Sequence, residues 1–289
     1  MLKKFCNRPI IVTGSHRSGS TWLGKMLSLT DEIEYVHEPF NKNYPNNSLS
    51  PIKYWFEYIS DTDSVARTKQ FVSYLDEIMG LPYQYYTTDL IRAMLKLKPK
   101  RLKDKLKLIR TRLTQRYLIK DPICIFSTDW IAKKYNADVV VIIRHPAAFV
   151  ASIKVVNWTH DFNDFLKQKK LMQEILKPFE SEIQDYANNE HDIIDQGIML
   201  WNLIHYRIKD YQDKHKNWIF IRHEDISRAP IEEFNKLYEN LEINNFDLIK
   251  HDIINHSTKS DDGDLYRNSK ENIYTWKNRL SEVEISRIK

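Results

Sequence analysis

The sequence predicts an α/β protein whose central, mostly parallel sheet of about five strands is flanked by helices. Three observations carry that reading. Short apolar runs recur at residues 10–13, 34–37, 117–120, 139–144 and 218–222, most of them without polar alternation, as expected for strands covered on both faces. Helical patterns separate the runs, which is the βαβ rhythm of a parallel sheet. Glycine is scarce, six in 289 residues, yet Gly14, Gly19 and Gly24 crowd the turn after the first run.

Pro9, Ile10, Ile11 and Val12 read as the first strand, and Trp22, Leu23, Met26 and Leu27 recur behind it at helical spacing. The glycines therefore sit in a strand-to-helix turn. The second strand ends at His37, followed by Glu38 and Pro39. Residues 41–115 break the rhythm with a polar loop, NKNYPNNSLSP, and a strongly basic run, LKLKPKRLKDKLKLIRTRLTQR. That run reads either as a solvated amphipathic helix face or as an attractor of an anionic substrate or membrane surface. The third strand leads into Lys120 and Asp121. The fourth, VVVII, ends at Arg144, and Pro146 suits the first turn of the helix that carries Ser152. Residues 154–215 form a second helical insertion with Trp158, Phe162, Phe165, Trp201 and Tyr206. The last strand, 218–222, completes the sheet. The chain, 1–289, is expected to be one domain, with both insertions packed over the sheet's carboxyl edge, where open α/β sheets bind ligands.

Bulk properties narrow the partners. The apolar fraction of 42% and aromatic fraction of 12% suffice for a sizeable core. Forty-four basic against 39 acidic residues leave a net charge of +5, which suits a small anionic ligand and is too weak for a nucleic-acid protein. Cys6 and Cys124 are the only cysteines. Their separation fits no metal or CxxC spacing, so they read as free thiols in a reducing compartment. No window approaches the roughly 18 apolar residues of a membrane span, and the N-terminus lacks a signal-peptide core. The expected location is the cytoplasm, and the oligomeric state is open.

The chemistry starts at VTGSHRSGSTWLGKML, residues 12–27. Gly14-x-x-x-x-Gly19-Ser20-Thr21 nearly matches the phosphate loop GxxxxGK[ST]. In such a loop successive backbone N–H groups turn inward and the next helix presents its positive end. Ser20 stands where the motif places lysine, and Arg17 brings a cation three positions earlier. The alternative is an ordinary glycine turn before a serine-rich helix start. Arg144, at the end of a buried strand, lies on the same sheet edge, with Ser152 eight residues later. Each alone reads equally as a surface arginine and a helix-face serine. Together with the loop they form two basic sites for a ligand with two separated anionic groups.

The string RSGSTWL, Arg17 to Leu23, resembles the 5′-phosphosulfate-binding loop of the sulfotransferases that use PAPS, 3′-phosphoadenosine 5′-phosphosulfate. Arg144 and Ser152 resemble the family's 3′-phosphate signature in residue type and spacing, although His145 replaces the aspartate often found there. LIKDP, IRHEDI and RNSKENIYTWKNRLSEVEISRI resemble further stretches, the first of them found in bacterial and carbohydrate sulfotransferases. The resemblance covers about residues 8–40 and 117–155, more weakly 218–288, and leaves out the insertions. It implies a P-loop-type three-layer fold, PAPS as donor, PAP as product, no metal, and a hydroxyl acceptor on a carbohydrate, a lipid-linked glycan or another small molecule, recognised by the insertions. It also implies contacts to the nucleotide from Arg17, Ser18, Gly19, Ser20, Thr21, Trp22, Arg144, Ser152 and Arg267.

Sulfuryl transfer needs a cation at the leaving oxygen and a base at the acceptor hydroxyl. Arg17 is expected in the first role, with Lys120 second. Lys120 reads equally as a structural partner of Asp121. Glu38 is the expected base, from its strand-end position in HEPF and from the glutamate that related sulfotransferases carry in a comparable place. A helix cap or an ion pair with a loop arginine is the alternative for Glu38. His37 is its rival, and His160 in NWTHDF a more distant one. Two other functions fit parts of the pattern. A P-loop kinase would need the missing lysine and a strand-end acid, for which Asp121 is available. A non-catalytic nucleotide- or sulfated-glycan-binding module would explain the basic run.

Overall fold

The computed structural model describes residues 8–43, 50–79, 116–258 and 273–289. Cys6, Arg267 and the basic run up to residue 115 lie outside them. All five expected strands are present: β1 (Ile10–Gly14), β2 (Ile33–His37), β3 (Arg116–Lys120), β4 (Asp138–Ile143) and β5 (Ile219–Arg222). They form one sheet in the order β2-β3-β1-β4-β5, and every pairing is parallel. The β-branched runs IIVTG and DVVVII suit this central position.

The three layers follow from side-chain alternation along the strands. Ile11, Val36, Ile119, Val139 and Val141 face one core. Helices Thr128–Tyr135, Pro146–Val156 and Ile193–Lys214 cover that face. Ile10, Val12, Leu118, Val140 and Ile142 face the other, under helices Ser20–Leu27, Pro230–Asn240 and Phe246–Thr258. No helix among the described residues is long and apolar enough to cross a membrane.

Register decides what the carboxyl edge presents. Lys120 pairs with Val12 on one side and with His37 on the other, and Gly14 pairs with Ile142. The chain leaves β1 between the ends of β3 and β4. The loop at 14–19 is thus flanked by Lys120–Asp121 and by Arg144, with Glu38 one strand further out. This is the switch point at which open α/β sheets bind ligands.

The insertion that follows β2 contains helix Val65–Ile78, capped by Ser64. Before it, residues 52–60 run without helix or strand. Side chains hold this stretch in place. Asp164 accepts from Trp55 N at 3.0 Å, Gln168 from Tyr58 N at 2.8 Å and Ser127 from Ile59 N at 2.9 Å. Glu57, fully buried, accepts from Lys53 N and Tyr54 N and pairs with Arg67 at 2.6 Å.

Candidate active site

The phosphate-loop backbone depends on two glycines. Gly14 has φ +141°, and a Cβ there would stand 2.2 Å from Ile142 O. Gly19 has φ +94°, and a Cβ there would meet His223 Nδ1 at 2.6 Å. Both positions exclude side chains on conformational and steric grounds. Gly19 caps helix Ser20–Leu27, whose first turn has no side-chain cap among the described residues. Arg17 also has a left-handed backbone, φ 61°, a strained conformation that persists only where its surroundings impose it.

The two expected anion sites touch directly. Arg17 Nε donates to Ser152 Oγ at 2.9 Å, and the Arg144 guanidinium donates to the Arg17 carbonyl. Trp158 lies under the Arg17 guanidinium at 5.3 Å. Arg144 is held from behind, where its carbonyl accepts from Trp201 Nε1 at 3.2 Å. His145 caps helix Pro146–Val156, donates its N–H to Glu224 at 3.0 Å and stacks on Trp276 at 5.2 Å. Lys154 ties the same helix to the C-terminal segment through Arg279 O at 3.2 Å and Glu284 at 2.7 Å.

Arg17, Arg144 and Trp158 line a cleft of about 900 Å³ to which the ends of all five strands contribute: Arg17, Glu38, Ile123, Arg144 and His223 stand just beyond β1 to β5 in turn. Gly19, Ser20, Thr21, Trp22 and Ser152 also line it. Ser18 does not; its hydroxyl is buried without a partner among the described residues. Trp22 packs edge-on against Phe234 at 5.4 Å, and its indole N–H likewise has no partner among the described residues.

Glu38 faces this cleft from a left-handed backbone, φ 44°. Its N–H bonds to Lys120 O at 2.9 Å. Lys120 Nζ donates to its carboxylate, and Asn41 Nδ2 does so at 3.1 Å. Burial pushes the Glu38 pKa up. The Lys120 charge and hydrogen bond, with Asn41 and His37, outweigh that, and the net shift is down. Lys120 itself is fully buried, and burial pulls it below the ordinary lysine value against the pull of Glu38.

The structural partner of Lys120 is therefore Glu38, not Asp121. Both Asp121 oxygens are taken by backbone: Phe40 N at 2.5 Å on one, Ile123 N at 2.8 Å and Cys124 N at 3.1 Å on the other. Burial raises Asp121 to about 7 despite these donors. His37 does not line the cleft; it is half-exposed, bonded to Tyr35 OH at 3.2 Å through Nδ1, and its Nε2 lies 3.9 Å from a Glu38 carboxylate oxygen. His160 does line the cleft, and burial holds it near 4.

Among the aromatic residues expected from the second insertion, Trp158 alone borders the cleft. Phe162 and Phe165 are core, Trp201 supports Arg144, and Tyr206 packs on Phe179 at the surface. Sequence reasoning missed Trp55, Phe56, His16 and His223, all of which line it. Phe56 is buried with φ 58°. His16, inside the quoted loop, is held near 3 by burial and the charges of His160 and Arg17. No spacing rule marks a loop histidine or a lone Trp-Phe pair.

The profile described as "Sulfotransferase family" matches residues 9–247. Curated proteins yield no match. Similar solved structures include the sulfotransferase domain from the curacin biosynthetic pathway, 15% identical with a TM-score of 0.48, covering 97% of this chain and 95% of that one. The sulfotransferase domain of the Synechococcus PCC 7002 olefin synthase is 14% identical, TM-score 0.47, with 97% and 92% covered. Mouse sulfotransferase SULT7A1, complexed with PAP, is 11% identical, TM-score 0.48, with 97% and 81% covered. Because the matched span runs from the first strand past the last and takes in the phosphate loop, Glu38, Lys120 and Arg144, the chain belongs to the sulfotransferase family.

Proposed function

We propose that this chain moves a sulfuryl group from PAPS to the hydroxyl of a carbohydrate or other small or lipid-linked glycan. The observation that carries the reading is the direct union of two cationic sites at one sheet edge, Arg17 on Ser152 and Arg144 on the Arg17 carbonyl, beside a carboxylate held toward the same cleft. The residues fit the donor. A glycine cradle, first-turn amides without a side-chain cap and the Trp22 indole N–H, unpartnered among the described residues, offer hydrogen bonds to anionic oxygens.

The roles divide by position. Arg17, Ser18, Gly19, Ser20, Thr21 and Trp22 serve the 5′-phosphosulfate side. Arg144 and Ser152 serve the 3′-phosphate, with Arg267 as a further contact. Glu38 accepts the acceptor's hydroxyl proton as the new oxygen–sulfur bond forms and the bond to the leaving phosphate oxygen breaks. Arg17 stabilises the charge left on that phosphate. Lys120 keeps Glu38 ionised and aimed. The whole chain acts as one domain, with the segments around Trp55 and Trp158 forming the acceptor side. Asp121 is committed to three backbone amides, which argues against the kinase reading. Calorimetry tests the donor assignment. PAP should bind at least about tenfold tighter than AMP, since charge-assisted hydrogen bonds to the second phosphate are worth about 1.5–3 kcal/mol. Arg144→Ala should erase most of that difference, and equal wild-type affinities would refute the assignment.

A further inference from the structure

The end of the cleft away from Arg144 has its own chemistry. Phe56 forms its floor, with the rings of His16 and His160 on it at 5.8 and 5.6 Å. Trp55 and Trp158 complete the wall, and Trp158 is 52% exposed at the mouth. His16 Nδ1 and His160 Nε2, like His223 Nδ1 elsewhere on the cleft, are buried and have no hydrogen-bond partner among the described residues. Buried polar atoms are ordinarily satisfied, so two orphaned imidazole nitrogens in one cleft point to a ligand that satisfies them. Both rings are held neutral, and a neutral imidazole offers one donor and one acceptor. The charged groups beside them have protein partners: Asp164 accepts from Trp55 N and pairs with Lys42 at 3.6 Å, Asp161 accepts from Asn163 N at 3.0 Å, and Arg17 donates to Ser152. Flat aromatic surface beside neutral donor–acceptor groups matches an uncharged ring bearing several hydroxyls.

We propose that His16 and His160 are specificity-determining residues that hydrogen-bond a hydroxyl adjacent to the one being sulfated, so that the acceptor is a neutral ring with neighbouring hydroxyls. The proposal rests on the sulfuryl-transfer reading above. The left-handed Phe56 backbone holds the floor against which the two imidazoles are set.

The test uses the full chain, PAPS and two acceptors differing by one group, a vicinal cyclohexanediol and cyclohexanol. Wild type should favour the diol by at least about tenfold in kcat/KM, as expected when a site built for a hydroxyl meets an analogue lacking it. His160→Phe should remove most of that preference through KM, and His160→Gln should restore part of it. His16→Gln, which keeps a hydrogen-bonding amide in the loop, should retain more preference than His16→Phe. PAP affinity of the His160 variants should stay within about twofold of wild type, showing an intact fold and donor site. No preference in wild type, equal losses for both acceptors in His160→Phe, or PAP binding without transfer to the diol would each overturn the proposal. Failure to bind PAP would instead overturn the reading on which it rests.

Discussion

The proposed donor and acceptor ends of the cleft are held by different kinds of bond. At the donor end, the positions of Arg17 and Arg144 follow from strand register, two glycine conformations and two helix starts. At the acceptor end, Trp55 and Phe56 lie in a stretch with no regular structure. Asp164, Gln168 and Ser127 hold that stretch from 68 to 110 residues away in sequence. On the proposed reading, the ligand shared by the family would be met by local backbone geometry, and the part that differs between enzymes by a loop that a few side chains can re-aim.

The largest expected effect lies where the two ends meet. Glu38→Gln keeps shape and hydrogen bonding but loses the proton acceptor. It should lower kcat by about 10²-fold or more, with PAP affinity changed less than about threefold. His37→Ala should cost far less, because His37 is half-exposed, does not line the cleft and only flanks the Glu38 carboxylate at 3.9 Å. Near-normal turnover in Glu38→Gln would remove the catalytic link between the two ends.

Asp164→Ala separates them. It strips the partly buried Trp55 amide of its acceptor and should cost about 1–3 kcal/mol of stability, read as a lower Tm. The acceptor KM should rise about tenfold, and PAP affinity should hold. Equal weakening of both ligands would mean that the loop supports the whole cleft.

The smallest effect concerns pH. The net shift on Glu38 is downward, so its proton-accepting form persists below the ordinary glutamate range. Its acid limb should fall correspondingly low, leaving kcat level between about pH 5.5 and 8. A limb near about 6.5, the ordinary histidine value, would move the base to an imidazole.

The same contrast explains what was legible in the sequence. Strands β1 to β5 were visible as β-branched runs, and the loop and the Arg144–Ser152 pair were visible as fixed spacings, because the interactions that shape them are local. Glu38 was visible because a strand end before proline fixes its place. The pairing of Lys120 with Glu38 was not, since it depends on β3 lying beside β2, an adjacency that no spacing encodes. Phe56 and His16 were invisible for the same reason: what makes them a floor and a wall is packing against Phe165, Phe149 and each other. Phe162 and Phe165 looked like candidate binding aromatics and proved to be core, because composition does not tell which face of a short helix is buried.

The most direct measurement is transfer of label from isotopically labelled PAPS to a panel of oligosaccharides, lipids and phenols, run with and without EDTA. Arg17 and the loop can meet the charge that Mg²⁺ handles in kinases. The wild-type chain should therefore label a hydroxyl-bearing acceptor at rates agreeing within about threefold in the two conditions, and Glu38→Gln should fail to do so. PAPS bound without transfer, or a phosphoryl group moved from ATP only when Mg²⁺ is present, would contradict the account.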